Sequence, residues 1–340
     1  QMSEKHNIDF MVVDPSDNPP ASKYAQCIKS DYNDKDSLDR LIHECDIVTI
    51  DFENVPSEAL KYLEKKVSVY PSSYAVEICQ DRLKEKNIFN EYNIPTTEFR
   101  TVSSISDLSL AISILGTDSI LKSRRLGYDG KNQITINKYS AEEAWRLSGE
   151  TESILEKKVD FKTEVSIIGV CTKSSGTIFY PLVENFHRDG ILNLSIAPYK
   201  DVKLQKLAES YHNKITKKLN YTGVLVIEFF LDKSGDLIAN EMAPRVHNSG
   251  HWTNEGANIS QFEAHIMAVA DIHIGNILIN GNSAMLNIIS KMPKNILADN
   301  NYKLYDYGKS ERLNRKLGHI TINNNYKEDL MKYIKKISKS

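Results

Sequence analysis

The sequence contains no long apolar run, no cysteine pair and no excess of either charge. Its longest apolar segments, such as YTGVLVIEFF (221–230), fall far short of the ~20 residues that cross a bilayer, so no membrane partner is expected. With 43 Lys+Arg against 45 Asp+Glu the formal net charge is −2, which argues against a broad nucleic-acid footprint and leaves room only for local basic pockets. Cys27, Cys45, Cys79 and Cys171 are scattered without a C-x-x-C spacing. A chain of 340 residues needs no staples, so buried free thiols in a reducing cytosol are expected. No charged-then-apolar signal segment opens the chain. The opening QMSEKHNIDFMVVDP instead reads as the end of a helix followed by a strand, as if a first strand and its turn were missing. Two phosphate-binding signatures, G-x-x-x-x-G-K-[ST] and G-x-G-x-x-G, are absent, and no Ser-His-Asp or Cys-His arrangement can be assembled.

What is present begins with alternating elements. IDFMVVDP and CDIVTIDFENV are apolar runs ending in acids, and between them Leu38, Leu41 and Ile42 share one face of a helix. That order predicts a parallel sheet, whose ligands lie beyond the carboxyl ends of its strands. Asp14 and Glu53 fall there, although an exposed loop acid is the ordinary explanation of each. YPSSYAVEICQDRLKEKNIFNEYNIPTTEF reads as a linker helix ended by Asn93 and Pro95. Short strands follow to about residue 180, then the amphipathic helix LQKLAESYHNKITKKLNYTG. VLVIEFFLDKSGDLIANEMAPR is a hairpin turning at Ser234, Gly235 and Asp236. The tail returns to strands (MLNIIS, KLYDYG, LGHITI) and a basic helix with a solvated face.

Four stretches carry chemistry. On the hairpin, Glu228 and Glu241 occupy matching places on paired strands, a geometry that can chelate a hard cation through oxygen. Chance acids on a half-exposed sheet are the alternative, weakened at Glu228 by its neighbours Val226, Ile227, Phe229 and Phe230. In LKSRRLGYDGKNQ, a strand-borne Lys122 precedes a turn with Gly127 and Gly130, which suits phosphate and equally suits an ordinary hairpin turn. LEKKV (155–159) followed by Glu164 suits an adenine-reading edge strand and a ribose acid, while a solvated surface strand is the simpler reading of spacing alone. Lys309, Arg312, Arg315 and Lys316 form either a solvated basic turn or a phosphate clamp. His247 and His251 are four apart, but Pro244 and Gly250 disfavour a helical zinc pair. His187 in ENFHRDGIL is a lone loop histidine.

The succession LKSRRLGYDGKNQ, LEKKV, ENFHRDGIL, VIEFF, NEMAPRVHNSGHWT and YGKSERLNRKLGHI resembles the N5-carboxyaminoimidazole ribonucleotide synthases, ATP-grasp ligases of purine synthesis, over nearly the whole chain. The resemblance implies an α/β (α+β) ATP-grasp architecture. Its parts are a Rossmann-like preATP-grasp domain over 1–80 lacking its first strand, an ATP-grasp domain over 81–275, and a small β-rich domain over 276–340. It implies ATP-dependent carboxylation of 5-aminoimidazole ribonucleotide with bicarbonate, through carboxyphosphate, in a cytoplasmic homodimer.

Carried over residue by residue, Arg82 and Lys122 touch the ATP phosphates, and the loop of Gly127, Tyr128, Asp129, Gly130, Lys131, Asn132 and Gln133 closes over them. Glu156, Lys157, Lys158 and Val159 frame the adenine, Glu164 holds the ribose, and His187 and Asn240 lie nearby. Glu228 and Glu241 bind magnesium, with manganese as its substitute. Tyr128, Asp129 and Lys131 meet the aminoimidazole nucleotide, and Lys309, Arg315 and Lys316 its phosphate. Arg245, His247 and Asn248, with Lys122, serve the carboxyl chemistry, His247 either orienting the intermediate or moving a proton. This chain departs from the family pattern at Leu126 and Asn132, where glycine is usual, and in lacking the glycine-rich opening turn. A stiffer loop is expected. Two readings stand beside this one: another ATP-grasp ligase, such as a formate-using glycinamide ribonucleotide enzyme or a biotin carboxylase, and a non-catalytic nucleotide-binding regulator.

Overall fold

The structure, a computed structural model, describes residues 5–127, 132–293 and 302–337. Near the amino terminus β1 (Met11–Asp14) and β2 (Gln26–Lys29) pair in parallel, as do β3 (Ile47–Val48) and β4 (Ser68–Val69). The helix Lys35–Glu44, capped by Asp34, joins β2 to β3 and packs Leu38 and Leu41 inward. The parallel arrangement expected of this part is therefore present as two separate pairs, with β1 and β3 in different ones.

The expected linker helix is two helices, Ser73–Cys79 and Arg82–Glu91. Asp81 interrupts them because its carboxylate accepts from the backbone N–H groups of Leu83 and Lys84, which starts a new helix. Beyond it lies an antiparallel sheet of β5 (Phe99–Val102), β6 (Ser119–Ser123), β7 (Gln133–Thr135) and β8 (Ser153–Lys157), in the order β5-β8-β6-β7.

The second sheet holds β9 (Phe161–Thr172), β10 (Gly176–Phe179), β11 (Val183–Arg188), β12 (Ile191–Ala197), β13 (Gly223–Asp232) and β14 (Leu237–Ala243). It continues without a break into β15 (Asn282–Ile289), β16 (Tyr302–Asp306) and β17 (Lys316–Asn324). Among the described residues its order is β14-β13-β9-β11-β12-β15-β17-β16, with β10 on β9. The carboxy-terminal strands thus extend the central sheet through β12 and β15.

Alternation along β9 and β13 sends side chains to two cores. Val165, Ile167, Leu225, Ile227 and Phe229 pack toward the helices Arg82–Glu91 and Val202–Leu219. Ile168, Val170, Val224 and Val226 pack toward Trp252 and the helix Gln261–Val269. Glu228 and Ser166, opposite one another, point to this second side. All four cysteines are free, and of these Cys171 is buried while the other three are half-buried. Among the described residues no helix is long and apolar enough to cross a membrane.

Candidate active site

The hairpin of β13 and β14 places Glu228 directly opposite Glu241. One residue later Phe229 faces Ala239, so Asn240 is the extra residue of a β-bulge. The bulge takes the Asn240 carbonyl out of the ladder, and the buried Lys86 ammonium donates to it (2.8 Å) and to the Ala239 carbonyl (3.3 Å). Lys86 belongs to the helix Arg82–Glu91, whose inward stripe also carries Arg82 and Glu85. Arg82 pairs with Glu241 (2.8 Å), and Glu85 accepts from the backbone N–H of Met242 (2.5 Å). One helix thus fixes the strand bearing both Asn240 and Glu241.

A cavity of about 260 Å³ lies between the two sheets, lined by Lys122, Glu156, Glu164, His187, Glu228 and Glu241 among others. Ile120, Leu192 and the stacked Phe161 and Phe230 (centroids 4.8 Å apart) give it an apolar part. A narrower cavity of about 90 Å³ reaches toward the amino-terminal layer and is lined by Glu53, Gln80, Arg124 and Arg245. Arg82, Glu228, Glu241 and His247 line both.

The charges in this wall are unbalanced. Burial pushes the Glu228 carboxyl up to about 8; His187 pulls against this while Glu241 and Glu164 add to it. Burial would raise Glu241 also, but the Arg82 guanidinium outweighs it and holds this carboxyl low, near 2. Glu156 is likewise held near 2, Lys122 (2.7 Å) and Lys86 (3.6 Å) overcoming its burial. Burial lowers the Lys86 ammonium, with Glu156 opposing. His187 is raised to about 9 against burial by its bond to Glu164 (2.6 Å) and the charge of Glu228. His247 is depressed to about 3 by burial and by Arg245.

Glu228 and Glu241 therefore present converging oxygen donors, one of them short of a cationic partner. Among the described residues no group of three or more His, Cys, Asp and Glu side chains is arranged to hold a metal ion. A hard cation at this pair would need further oxygens from a ligand, which is how magnesium usually sits with phosphates.

The larger cavity gathers most of the residues expected from the sequence: Arg82, Lys122, Gln133, Glu156, Lys157, Lys158, Val159, Glu164, His187, Glu228, Asn240, Glu241, His247 and Asn248. Gly127 and Arg245 line the smaller one. Lys316 reaches Asn248 (2.6 Å). Lys309 and Arg315 are not brought into either lining: Lys309 lies over the Tyr307 ring and Arg315 donates to Ser310 (2.8 Å) within its own loop. Asn132 turns its amide to the Leu126 carbonyl. Tyr128, Asp129, Gly130 and Lys131 lie outside the described residues. Leu126 (φ 59°) and Asn132 (φ 57°), where the family resemblance has glycine, both adopt the left-handed backbone that favours it.

Sequence reasoning missed Gln80, Asp81, Glu85, Lys86 and Arg124, and read Glu53 as a loop acid, although it pairs with Arg245 (2.5 Å). The available signal was Arg82, Glu85 and Lys86 at helical spacing beside Ile88 and Phe89, a charged stripe on a face that must be buried.

Residues 87–262 match the family model of the ATP-grasp domain, residues 1–80 the ribonucleotide synthetase preATP-grasp domain, and residues 283–333 the phosphoribosylaminoimidazole carboxylase C-terminal domain. The chain is 42% identical over 318 residues to the N5-carboxyaminoimidazole ribonucleotide synthase of Pseudomonas aeruginosa, covering 93% of this chain and 88% of that one. It resembles the crystal structure of N5-carboxyaminoimidazole ribonucleotide synthetase from Thermus thermophilus with a TM-score of 0.93 at 38% identity, covering 99% and 93% of the two chains. The synthase of Aspergillus clavatus in complex with ADP and 5-aminoimidazole ribonucleotide matches with a TM-score of 0.88 at 28% identity, covering 98% and 92%.

Proposed function

The chain belongs to the N5-carboxyaminoimidazole ribonucleotide synthase family, ATP-dependent ligases of purine biosynthesis, and from that premise we propose how its two cavities divide the reaction. ATP occupies the larger cavity, its adenine against Phe161, Phe230 and the backbone of 156–159, its ribose at Glu164. Its phosphates lie toward Lys122 and Arg82. Bicarbonate and 5-aminoimidazole ribonucleotide occupy the smaller cavity, with Arg245 and His247 at the carboxyl group and Asn248 beside them on the side of the larger cavity. The single observation that carries this division is the wall of Arg82, Glu228, Glu241 and His247 common to both cavities. Only there can a phosphoryl group pass from one ligand to the other.

Bicarbonate is a poor electrophile. Its oxygen attacks the γ-phosphorus, ADP leaves, and carboxyphosphate forms. The exocyclic amine of the nucleotide then attacks the carboxyl carbon, phosphate leaves, and the amine loses a proton. Arg82, Lys122 and Arg245 are fixed cations around the transferring group, and stabilising charge that grows there is the main lever on phosphoryl transfer. Glu228 and Glu241 fit magnesium, two carboxylates completed by phosphate oxygens and water. Held there, it would offset charge on the phosphoryl group in transfer.

Substrates of this kind point to the cytoplasm, and the homodimer implied by the family likeness is tested by light scattering. The reaction is tested by ADP release with magnesium and bicarbonate, with and without 5-aminoimidazole ribonucleotide. The expected result is ADP formed only with the nucleotide, together with an acid-labile carboxylated product. ADP formed equally without bicarbonate, or ADP with no carboxylated product from the nucleotide, would overturn the reading.

A further inference from the structure

A row of buried side chains runs through the large sheet to His247, and none of the roles above uses it. Ser195 Oγ donates to Asn185 Oδ1 (2.8 Å), and Asn185 Nδ2 donates to Ser166 Oγ (2.9 Å). Ser166 Oγ donates to Ser249 Oγ (2.9 Å), which stands 2.9 Å from His247 Nδ1. Ser166, Ser195 and Ser249 are 0% exposed and Asn185 2%, so an unmade hydrogen bond in any of them would be costly. Strand register builds the row: Ser166 on β9 stands opposite Glu228 on β13, and Asn185 on β11 opposite Ser195 on β12.

The direction of the row is set at its histidine end. The backbone N–H of Ser249 points at His247 Nδ1 (3.3 Å). A backbone N–H can only donate, so Nδ1 carries a lone pair and the ring hydrogen sits on Nε2. Ser249 Oγ then donates to Nδ1 as well, leaving its own lone pairs for Ser166, and every hydrogen in the row points toward the ring. Gln261, 0% exposed, holds the histidine backbone from both sides: its Oε1 accepts from the His247 N–H (3.0 Å) and its Nε2 donates to the His247 carbonyl (2.6 Å). Nε2 stands at the wall between the cavities, 3.4 Å from Glu228 Oε1.

We infer that Ser249, with Ser166, Asn185 and Ser195 behind it, is a positioning residue that holds His247 in its Nε2-protonated tautomer as a hydrogen-bond donor into the cleft. Its meaning for catalysis rests on the proposed carboxylation. There His247 donates to an oxygen of the carboxyl group and does not take the proton shed by the amine, because Nε2 has no lone pair to receive it.

The test is 15N NMR of the full chain labelled at histidine, with His247→Gln identifying the His247 signals. The wild type should show an unprotonated ring nitrogen at Nδ1 and an N–H nitrogen at Nε2. Ser249→Ala removes one of two donors to Nδ1. Asn185→Ala takes away the donor to Ser166 and so frees the row to turn around. Both should gain the Nδ1–H tautomer and lose roughly tenfold in kcat with KM for ATP unchanged. A wild-type spectrum with the hydrogen on Nδ1 overturns the inference, and that spectrum decides even where a variant fails to fold. So does a Ser249→Ala spectrum identical to the wild type. If the spectra follow expectation while no ADP forms with bicarbonate and the nucleotide, the tautomer stands and the carboxylation reading falls.

Discussion

Glu228 weakens the fold at the place proposed for the chemistry. Its carboxyl, raised from an ordinary value of 4.5 to about 8, resists ionising in its buried place, so stability falls as pH rises between those values. Glu228→Gln keeps the shape and removes the titration. Without metal or nucleotide, its melting temperature relative to wild type should rise between pH 5 and pH 8, while ATP turnover with magnesium falls about a hundredfold. A variant that loses ground at the higher pH would refute the assignment. His187 gives the same direction with pH for the opposite reason, since its charged form is the one the fold favours. Its folded value near 9 exceeds the ordinary 6.5, so the stability it supplies is complete below 6.5 and disappears as pH rises through 9. The deficit of His187→Gln in melts of the ligand-free protein should be greatest near pH 6 and vanish above pH 9.

At the scale of elements, the hairpin of β13 and β14 was legible because its turn residues and apolar runs are local, but counting outward from the turn sets Glu228 opposite Asn240, and only the bulge brings Glu241 there. The bulge at Asn240 was not legible. Nothing near it in sequence marks it, and the group that satisfies its carbonyl, Lys86, lies 154 residues away. The break at Asp81 was readable as an N-cap but was read through, since both flanking segments have helical spacing. Asp81 does more than cap. Its buried carboxylate also takes the Arg124 guanidinium in two bonds (2.7 and 3.1 Å), tying the helix that carries Arg82 and Lys86 to the strand end beyond Lys122. Asp81→Ala should lose about 2 kcal/mol in urea unfolding and weaken ATP binding. Asp81→Asn keeps a capping oxygen and should lose less. Equal losses would mean that the cap contributes nothing.

For the whole molecule, motif order identified what the chain is made of but not what meets what. Arg245 finds Glu53 across 192 residues, and Thr49 in the amino-terminal layer bonds His265 (2.7 Å) in the helix under the large sheet. These contacts depend on how the layers stack, which no local pattern encodes. The same stacking brings the proposed metal and nucleotide sites to one wall, which would couple them. A magnesium ion arriving alone meets Glu241 already paired with Arg82 and Glu228 held toward neutrality. Nucleotide phosphates give Arg82 and Lys122 new anionic partners and supply the oxygens that two carboxylates lack. Magnesium alone should therefore barely move the melting temperature. ADP with magnesium, each a hundredfold above its dissociation constant, should stabilise the fold by about 2.7 kcal/mol for the saturating nucleotide. Glu241→Gln should keep the shift produced by ADP alone and lose the increment from magnesium. A full shift from magnesium alone would mean that the ion has a site of its own, independent of the phosphates.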